Sequence, residues 1–273
     1  GFPRLQSTAL EPLYFANYLM VPLLIGLALQ ISGLMKKRWE LIVLGVIGLA
    51  FLLTQSRGGY YSLLAGMIFL AWLLWGKLKV WLASYYKQLL LAVIGLLVIS
   101  LATVAASSLK TNHNLTSAPH YLIQLFSTKL TETGSFTERV RDQELAFSIF
   151  KKHPLLGVGI GGFGSSVYGC TVGKCVYRPN NQALEVLAEG GIVGFLAFHA
   201  FLLSILYYGY RVVRRNKGLQ MALAAGLTAA IVAMVIQSQS FSGFLCCLTH
   251  PWADLAILAG IGSLPAAIAE AKK

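Results

Sequence analysis

The sequence predicts an all-α fold, a polytopic transmembrane helix bundle of about seven spans with one large extracytoplasmic loop that contains a helix. Of the 273 residues, 56% are hydrophobic and only 12% are charged. A mean hydropathy of +0.68 excludes an ordinary soluble domain. The apolar runs approach or exceed the roughly 20 residues that a helix needs to cross a bilayer. They lie at 12–34, 40–55, 59–76, 88–109, 183–210, 219–241 and 251–269.

The basic residues predict how these spans are oriented. The formal charge of +12 is compatible with nucleic-acid binding, but its distribution favours a lipid bilayer as the partner and no nucleic acid. Basic clusters follow the first, third, fifth and seventh runs, as the positive-inside rule requires of cytoplasmic connections. We therefore expect Gly1 and the 110–182 loop outside and the C-terminus inside. The clusters contain Lys36, Lys37, Arg38, Lys77, Lys79, Lys87, Arg211, Arg214, Arg215, Lys217, Lys272 and Lys273.

We expect a single transmembrane domain over 1–273, with 110–182 as the extracytoplasmic loop within it. The chain starts at Gly1 and shows no signal-peptide pattern, so we expect the C-terminal fragment of a longer membrane protein. The loop carries eight basic and four acidic residues, which runs against the usual bias for an outer loop. A polyanionic ligand such as a pyrophosphate would explain the excess, and solvated charges without a function would explain it equally well.

The loop also contains a candidate disulfide and a candidate helix. Cys170 and Cys175 flank T-V-G-K, and in an oxidising compartment a short disulfide between them is expected. A zinc site would need more ligands at suitable spacing, so no metal is expected. A helix is predicted over 135–152, and Pro154 ends it.

Two polar segments adjoin or enter the apolar runs. In T-Q-S-R-G-G-Y-Y, from Thr54 to Tyr61, Arg57 is predicted at the outer interface, either in a functional role or as a snorkelling arginine. The second segment is a turn with five glycines between Gly157 and Gly164, followed by N-N-Q-A-L-E-V-L-A-E-G-G-I-V-G. Carboxylates that enter a membrane helix are costly and usually have a task. For Glu185 and Glu189, we favour bonds to backbone or arginine groups inside the bundle over a role as general bases.

Four blocks, in this order, resemble the O-antigen ligase and polymerase family of membrane glycosyltransferases. They are R-L-Q-S-T-A-L-E-P-L-Y-F-A-N-Y-L (Arg4–Leu19), L-L-T-Q-S-R-G (Leu52–Gly58), E-R-V-R-D-Q-E-L-A-F-S-I-F-K-K-H-P-L-L-G-V-G (Glu138–Gly159) and N-N-Q-A-L-E-V-L-A-E-G-G-I-V-G (Asn180–Gly194). Each block alone is a weak signal. A more specific signal is the combination of P-L-L-G-V-G with the glycine-rich end of the fourth block at this spacing.

The resemblance implies a reaction on the outer face of the bacterial cytoplasmic membrane, with the large loop in the periplasm. A glycan would move from an undecaprenyl-pyrophosphate carrier to lipid A core, to another lipid-linked glycan or to a protein, with no metal, nucleotide or other cofactor. By block position, Arg57 and Arg139 match the functional arginines of the family. Arginine suits a pyrophosphate leaving group because it stays charged and forms paired hydrogen bonds to phosphate oxygens.

One departure from the family pattern concerns the fourth block, which opens with histidine in the ligases and with Asn180 here. Because a neutral amide is no general base, the asparagine favours a polymerase or a divergent transferase over a ligase. We expect Arg57, Arg139 and Asn180 to act in catalysis. The residues expected to bind substrate are Arg4, Arg141, Asn181, Glu189 and His250.

Two other classes of function remain open. A transporter or flippase of lipid-linked glycans would also need polar groups among its helices, but it predicts inverted repeats, and none is visible in the sequence. A non-catalytic scaffold of an envelope complex is the third class. An assay of glycan length and linkage separates the enzyme from both alternatives.

Overall fold

A computed structural model describes residues 12–86, 134–169, 178–240 and 250–263, and in these ranges all regular secondary structure is α-helical. By internal contacts the chain falls into two compact units, Gly1–Trp75 with Arg139–Lys273, and Gly76–Glu138. The helices are α1 (Pro12–Ile31), α2 (Arg38–Leu53), α3 (Arg57–Leu73), α4 (Trp75–Tyr86), α5 (Gly134–Lys152), α6 (Gly162–Tyr168), α7 (Gln182–Arg215), α8 (Gly218–Gln237) and α9 (His250–Ser263).

Three of these helices, α1, α7 and α8, are long and apolar enough to cross a membrane. A fourth candidate span arises when α3 and α4, separated by one residue, are counted together. The predicted runs at 40–55 and 251–269 correspond to α2 and α9, which are apolar but have 16 and 14 residues. The run at 88–109 lies outside the described residues. An all-helical membrane fold is thus confirmed, while seven spans stay a prediction.

Helix α8 forms the centre of the main hydrophobic core, because small side chains let its neighbours come close. At Gly226 an added Cβ would lie 2.6 Å from the Cα of Ile25 on α1. At Gly66 of α3 it would meet the Ala233 side chain of α8 at 3.0 Å. These close approaches hold α1 and α3 against α8. The buried small residues of α8 are Ala222, Ala224, Ala225, Gly226, Ala229, Ala230 and Ala233.

The contacts also fix the directions of the helices. The start of α1 meets the end of α8, where Gln237 donates to the carbonyl of Leu13 at 3.1 Å. The start of α3 meets the same end, because an added Cβ on Gly58 would lie 2.7 Å from Ser240 Oγ. Helices α1 and α3 therefore run antiparallel to α8. The basic clusters at 36–38 and 211–217 consequently lie at the opposite end of the bundle from Arg57.

Helix α7 is broken at Gly191, whose φ of 61° and ψ of −163° fit no other residue type well. A turn formed by residues 154–161, the docking turn, is inserted at this break. The N–H groups of Val158 and Gly159 donate to the carbonyls of Ala188 and Glu189. The N–H groups of Ile192 and Val193 donate to the carbonyls of Pro154 and Leu155. An intact helix would pair 192 with 188 and 193 with 189, so the turn replaces two helical hydrogen bonds.

A second small core lies beside the docking turn. Ala146 and Ile149 of α5, Phe163 of α6 and Ala188 of α7 are buried together, with Val158 of the turn packed against them. The predicted helix at 135–152 is confirmed, with Gly134 as its first residue in the structure. This core fixes α5 and the docking turn against the first half of α7.

Candidate functional site

Hydrogen-bond donors from α5 and from the start of α7 converge on residues 238–240, the turn that follows α8. Gln182 N donates to the carbonyl of Ser238 at 2.9 Å, and Asn181 Nδ2 donates to the carbonyl of Gln239 at 3.1 Å. Arg139 Nη1 donates to the carbonyl of Ser240 at 3.2 Å. These bonds bring the start of α7 and the second turn of α5 to residues 238–240, which we call the Ser240 turn. The start of α3 reaches the same turn at Gly58, which approaches Ser240.

Arg57 reaches this region as the first residue of α3. Ser56 caps the helix, its Oγ accepting from Gly59 N at 3.3 Å. Gln55 precedes it in a left-handed conformation with φ of 51°, which produces the sharp turn out of α2. Arg57 is half-buried, and among the described residues its guanidinium has no hydrogen-bond or ion-pair partner. A cation in that state is available to an anionic ligand.

Arg139 lies on α5 at its sixth residue, in the second helical turn. The free N–H groups of the first helical turn therefore precede Arg139 in the chain. Its described partner is the neutral carbonyl of Ser240, and no carboxylate among the described residues compensates its charge. Arg141, two residues later, is exposed and its Nε lies 3.9 Å from Oδ1 of the buried Asp142.

Asn180 adopts a left-handed backbone with φ of 52°, a region that asparagine tolerates better than most residues. Its Nδ2 donates to Asp142 Oδ2 at 3.4 Å, so α5 and the approach to α7 are linked. Asn181 caps α7, its Oδ1 accepting from Leu184 N at 3.0 Å. The amide oxygen of Asn181 therefore stabilises the start of α7, and its amide nitrogen ties that start to Gln239.

Glu185 and Glu189 are both engaged within the protein. Glu185 is buried, its Oε1 lies 3.8 Å from Arg178 Nη1, and its Oε2 accepts from Gln182 at 3.0 Å. Glu189 accepts from Gly161 N at 2.9 Å and from Phe163 N at 3.1 Å. These are the arginine and backbone bonds that we favoured from the sequence. The carboxylate of Glu189 thus fixes the end of the docking turn.

Four of the residues predicted from the sequence contribute no described side chain. Arg4, Cys170 and Cys175 lie outside the described residues. His250 is the first residue of α9. In the part of the chain that the structure describes, no group of three or more His, Cys, Asp or Glu side chains could hold a metal ion.

Sequence reasoning missed two buried amides, one on α1 and one at the end of α8. Asn17 on α1 is 1% exposed, and neither atom of its amide has a partner among the described residues. Asn17 follows Ala16 in the chain. A Cβ added to Gly59 of α3 would lie 3.0 Å from the Ala16 side chain. Gln237 is also fully buried, with its Oε1 unpaired within the described chain. An amide inside an apolar run was the signal that would have identified both residues.

Comparison with known proteins gives one family. The family model described as O-antigen ligase matches residues 41–199, more than half of the chain. The match begins within α2 at Leu41, includes α3, α5 and the docking turn, and ends within α7 at His199. A search of curated proteins found no match.

Proposed function

The chain belongs to the O-antigen ligase family, and from this premise we propose a glycosyltransferase that uses an undecaprenyl-pyrophosphate-linked glycan. The coarser description, an integral membrane enzyme of the O-antigen ligase type, follows from the family and the apolar helices. The donor, the outer-face orientation and the roles of individual residues belong to the proposal. The acceptor would be lipid A core, another lipid-linked glycan or a protein.

The observation that carries the proposal is that the arginines Arg57 and Arg139 both adjoin Ser240. The residue after Arg57 approaches the hydroxyl of Ser240, and Arg139 binds the carbonyl of the same residue. Neither arginine has a carboxylate partner among the described residues. Two such cations beside one turn are suited to a ligand that carries two phosphate groups.

The chemistry assigns a role to both cations. An acceptor hydroxyl attacks the anomeric carbon of the donor glycan, the bond from that carbon to the phosphate oxygen breaks, and polyprenyl pyrophosphate leaves with the bonding electrons. The proton of the attacking hydroxyl passes to the departing pyrophosphate or to water. Negative charge therefore grows on the pyrophosphate in the transition state. Arginines already in place stabilise that charge without reorganisation, and the forked guanidinium matches two phosphate oxygens at once.

Asn180 favours a polymerase or a divergent transferase over a ligase. The left-handed backbone at this position is enriched in asparagine and histidine alike. The family's histidine would therefore fit the same backbone, and the asparagine changes the chemistry of the side chain. An amide orients a hydroxyl or a phosphate oxygen but takes up no proton at neutral pH. We assign Asn180 to positioning, through the bond that ties it to Asp142.

The direct test is a transfer assay in proteoliposomes with a synthetic polyprenyl-pyrophosphate-linked glycan. We expect the donor to be consumed, polyprenyl pyrophosphate to be released, and longer lipid-linked glycans to form. Transfer to added lipid A core would identify a ligase instead. A transporter would move the intact donor between leaflets with no new glycosidic bond, and that outcome would overturn the proposal.

A matched pair of variants controls the assay. Arg139→Ala removes a cation of the proposed site, and Arg211→Ala removes one at the opposite end of the bundle. Arg211 is exposed and contacts Tyr207 on the same helix. We expect transfer to be lost in the first variant and kept in the second.

A further inference from the structure

The docking turn exposes apolar side chains to an unusual degree. Ile160 is 94% exposed, Leu156 is 72% exposed and Leu155 is 68% exposed. The same surface continues onto α7, where Val193 is 54% exposed and Leu196 is 61% exposed. Isolated exposed apolar residues are ordinary, but a contiguous patch of this kind marks a surface that has a partner.

The hydrogen bonds to α7 fix the position of this patch along the helix. Because Ile192 and Val193 donate to Pro154 and Leu155, the two leucines lie at the level where the second half of α7 begins. From Ile192 to Arg211 the helix rises by about 29 Å at about 1.5 Å per residue. That length matches the hydrocarbon core of a bilayer, about 30 Å thick.

Charged and aromatic residues mark the far boundary of that hydrocarbon layer. Arg211, Arg214 and Arg215 end α7, and tyrosines at 207, 208 and 210 precede them. Such residues lie at the interface between lipid and water. If the hydrocarbon begins at this end of α7, its other boundary falls at the Gly191 break, next to the docking turn.

Several backbone groups of the docking turn already have partners within the protein. Non-helical backbone is tolerated at membrane depth only where its polar groups find partners within the protein. The carbonyls of Pro154 and Leu155 and the N–H groups of Val158 and Gly159 bond to α7. Gly157 N donates to the carbonyl of His153, and Gly161 N donates to Glu189.

We propose that the docking turn is a membrane-inserted element, with Leu155, Leu156 and Ile160 in the acyl chains of the leaflet nearest the Ser240 turn. The partner is the lipid bilayer, and the continuity of the patch with the exposed face of α7 identifies it. Lys151 and Lys152, both exposed, come just before the turn, where cationic groups meet lipid headgroups. The inference requires that α7 spans a membrane and does not rest on the proposed function.

The test uses a fluorescent amino acid, dansylalanine, introduced by codon suppression in place of Ile160 in the full chain. The protein is reconstituted in phosphatidylcholine vesicles whose acyl chains carry bromine either near the headgroup or deep in the layer. Because the Ile160 side chain is almost fully exposed, its replacement leaves the packed core intact. Two reference positions are labelled in the same way, Leu196 on the apolar face of α7 and Lys217 in the connection after α7.

We expect quenching at position 160 to approach that at position 196, to be stronger with shallow bromine than with deep bromine, and to exceed that at position 217. Circular dichroism confirms that all three labelled proteins are folded. If the label at position 160 is as little quenched as the label at position 217, while the label at position 196 is quenched, the docking turn lies in water and the proposal is wrong.

Discussion

Arg139 donates a hydrogen bond of 3.2 Å to the carbonyl of Ser240, 101 residues further along the chain. The bond fixes the second turn of α5 to the end of α8. Ser240 also faces Gly58, so the contact places Arg139 beside the start of α3. From this arrangement we propose that Arg57 and Arg139 share one pyrophosphate.

Lysine in place of either arginine keeps the charge but loses the two-pronged donor. We expect Arg57→Lys and Arg139→Lys each to lower kcat/KM for transfer by about 100-fold, the scale seen when one donor to a developing charge is removed. Steady-state kinetics with the lipid-linked donor measures the loss. Arg211→Lys, at the opposite end of the bundle, is the matched control and should keep the wild-type kcat/KM. Wild-type rates in both site variants would show that the paired geometry is not needed.

Asn180→Ala should reduce transfer less than either arginine variant, by about 1–2 kcal/mol in the activation free energy, since positioning depends on one lost hydrogen bond. The left-handed backbone at this position adds strain in the alanine variant. Asn180→Gly removes the amide without that strain, so the two variants separate the side chain from the backbone. A loss in Asn180→Gly as large as in Arg139→Lys would assign Asn180 a direct role in the chemistry.

Gly157 and Gly159 test the fit of the docking turn. Both have positive φ, 65° and 91°, so alanine is strained at either position by about 1–3 kcal/mol. An added Cβ on Gly157 would also collide with the backbone of Ala188 and Glu189, whereas the space around Gly159 is open. We expect Gly157→Ala to lower the thermal unfolding temperature in detergent clearly more than Gly159→Ala. Equal effects would mean that the turn does not pack against α7 as described.

Gly190 and Gly191 form a similar pair on α7. Gly191 has a conformation that is essentially confined to glycine, and an added Cβ would meet the backbone of Leu155. Gly190 has open space around its Cα, and alanine there should favour the helix by about 0.5–1 kcal/mol. Gly191→Ala should therefore destabilise the protein and Gly190→Ala should not, as measured by thermal unfolding. If Gly191→Ala is as stable as the wild type, α7 tolerates a continuous helix.

The helical class and the helix at 135–152 were predictable, because apolar runs and Pro154 leave local signals in the sequence. The break at Gly191 was not predicted, and the run at 183–210 was read as one span. The bonds that replace the two missing helical bonds come from residues 30 or 38 positions away, and such pairing leaves no periodic pattern. The bond from Arg139 to the carbonyl of Ser240 could not be predicted for the same reason, since every residue has a backbone carbonyl.

The candidate site was predictable to the level of residue types. Arginines suited to a pyrophosphate were identified from the blocks of the family, and bonds from Glu185 and Glu189 to arginine or backbone groups were favoured from the cost of burying charge. The partners could not be named, because the bonds of Glu189 to Gly161 and Phe163 depend on how the docking turn folds. Asn17 and Gln237 were interpreted as part of apolar spans, although their amides are buried.

The most direct measurement is a double-mutant cycle on glycan transfer with Arg57→Lys, Arg139→Lys and the double variant. If both guanidiniums hold one pyrophosphate, their contributions are coupled, and the double variant should be only slightly slower than the slower single variant. Losses that multiply, as for independent sites, would contradict the shared site, and so would full glycan transfer by Arg139→Ala.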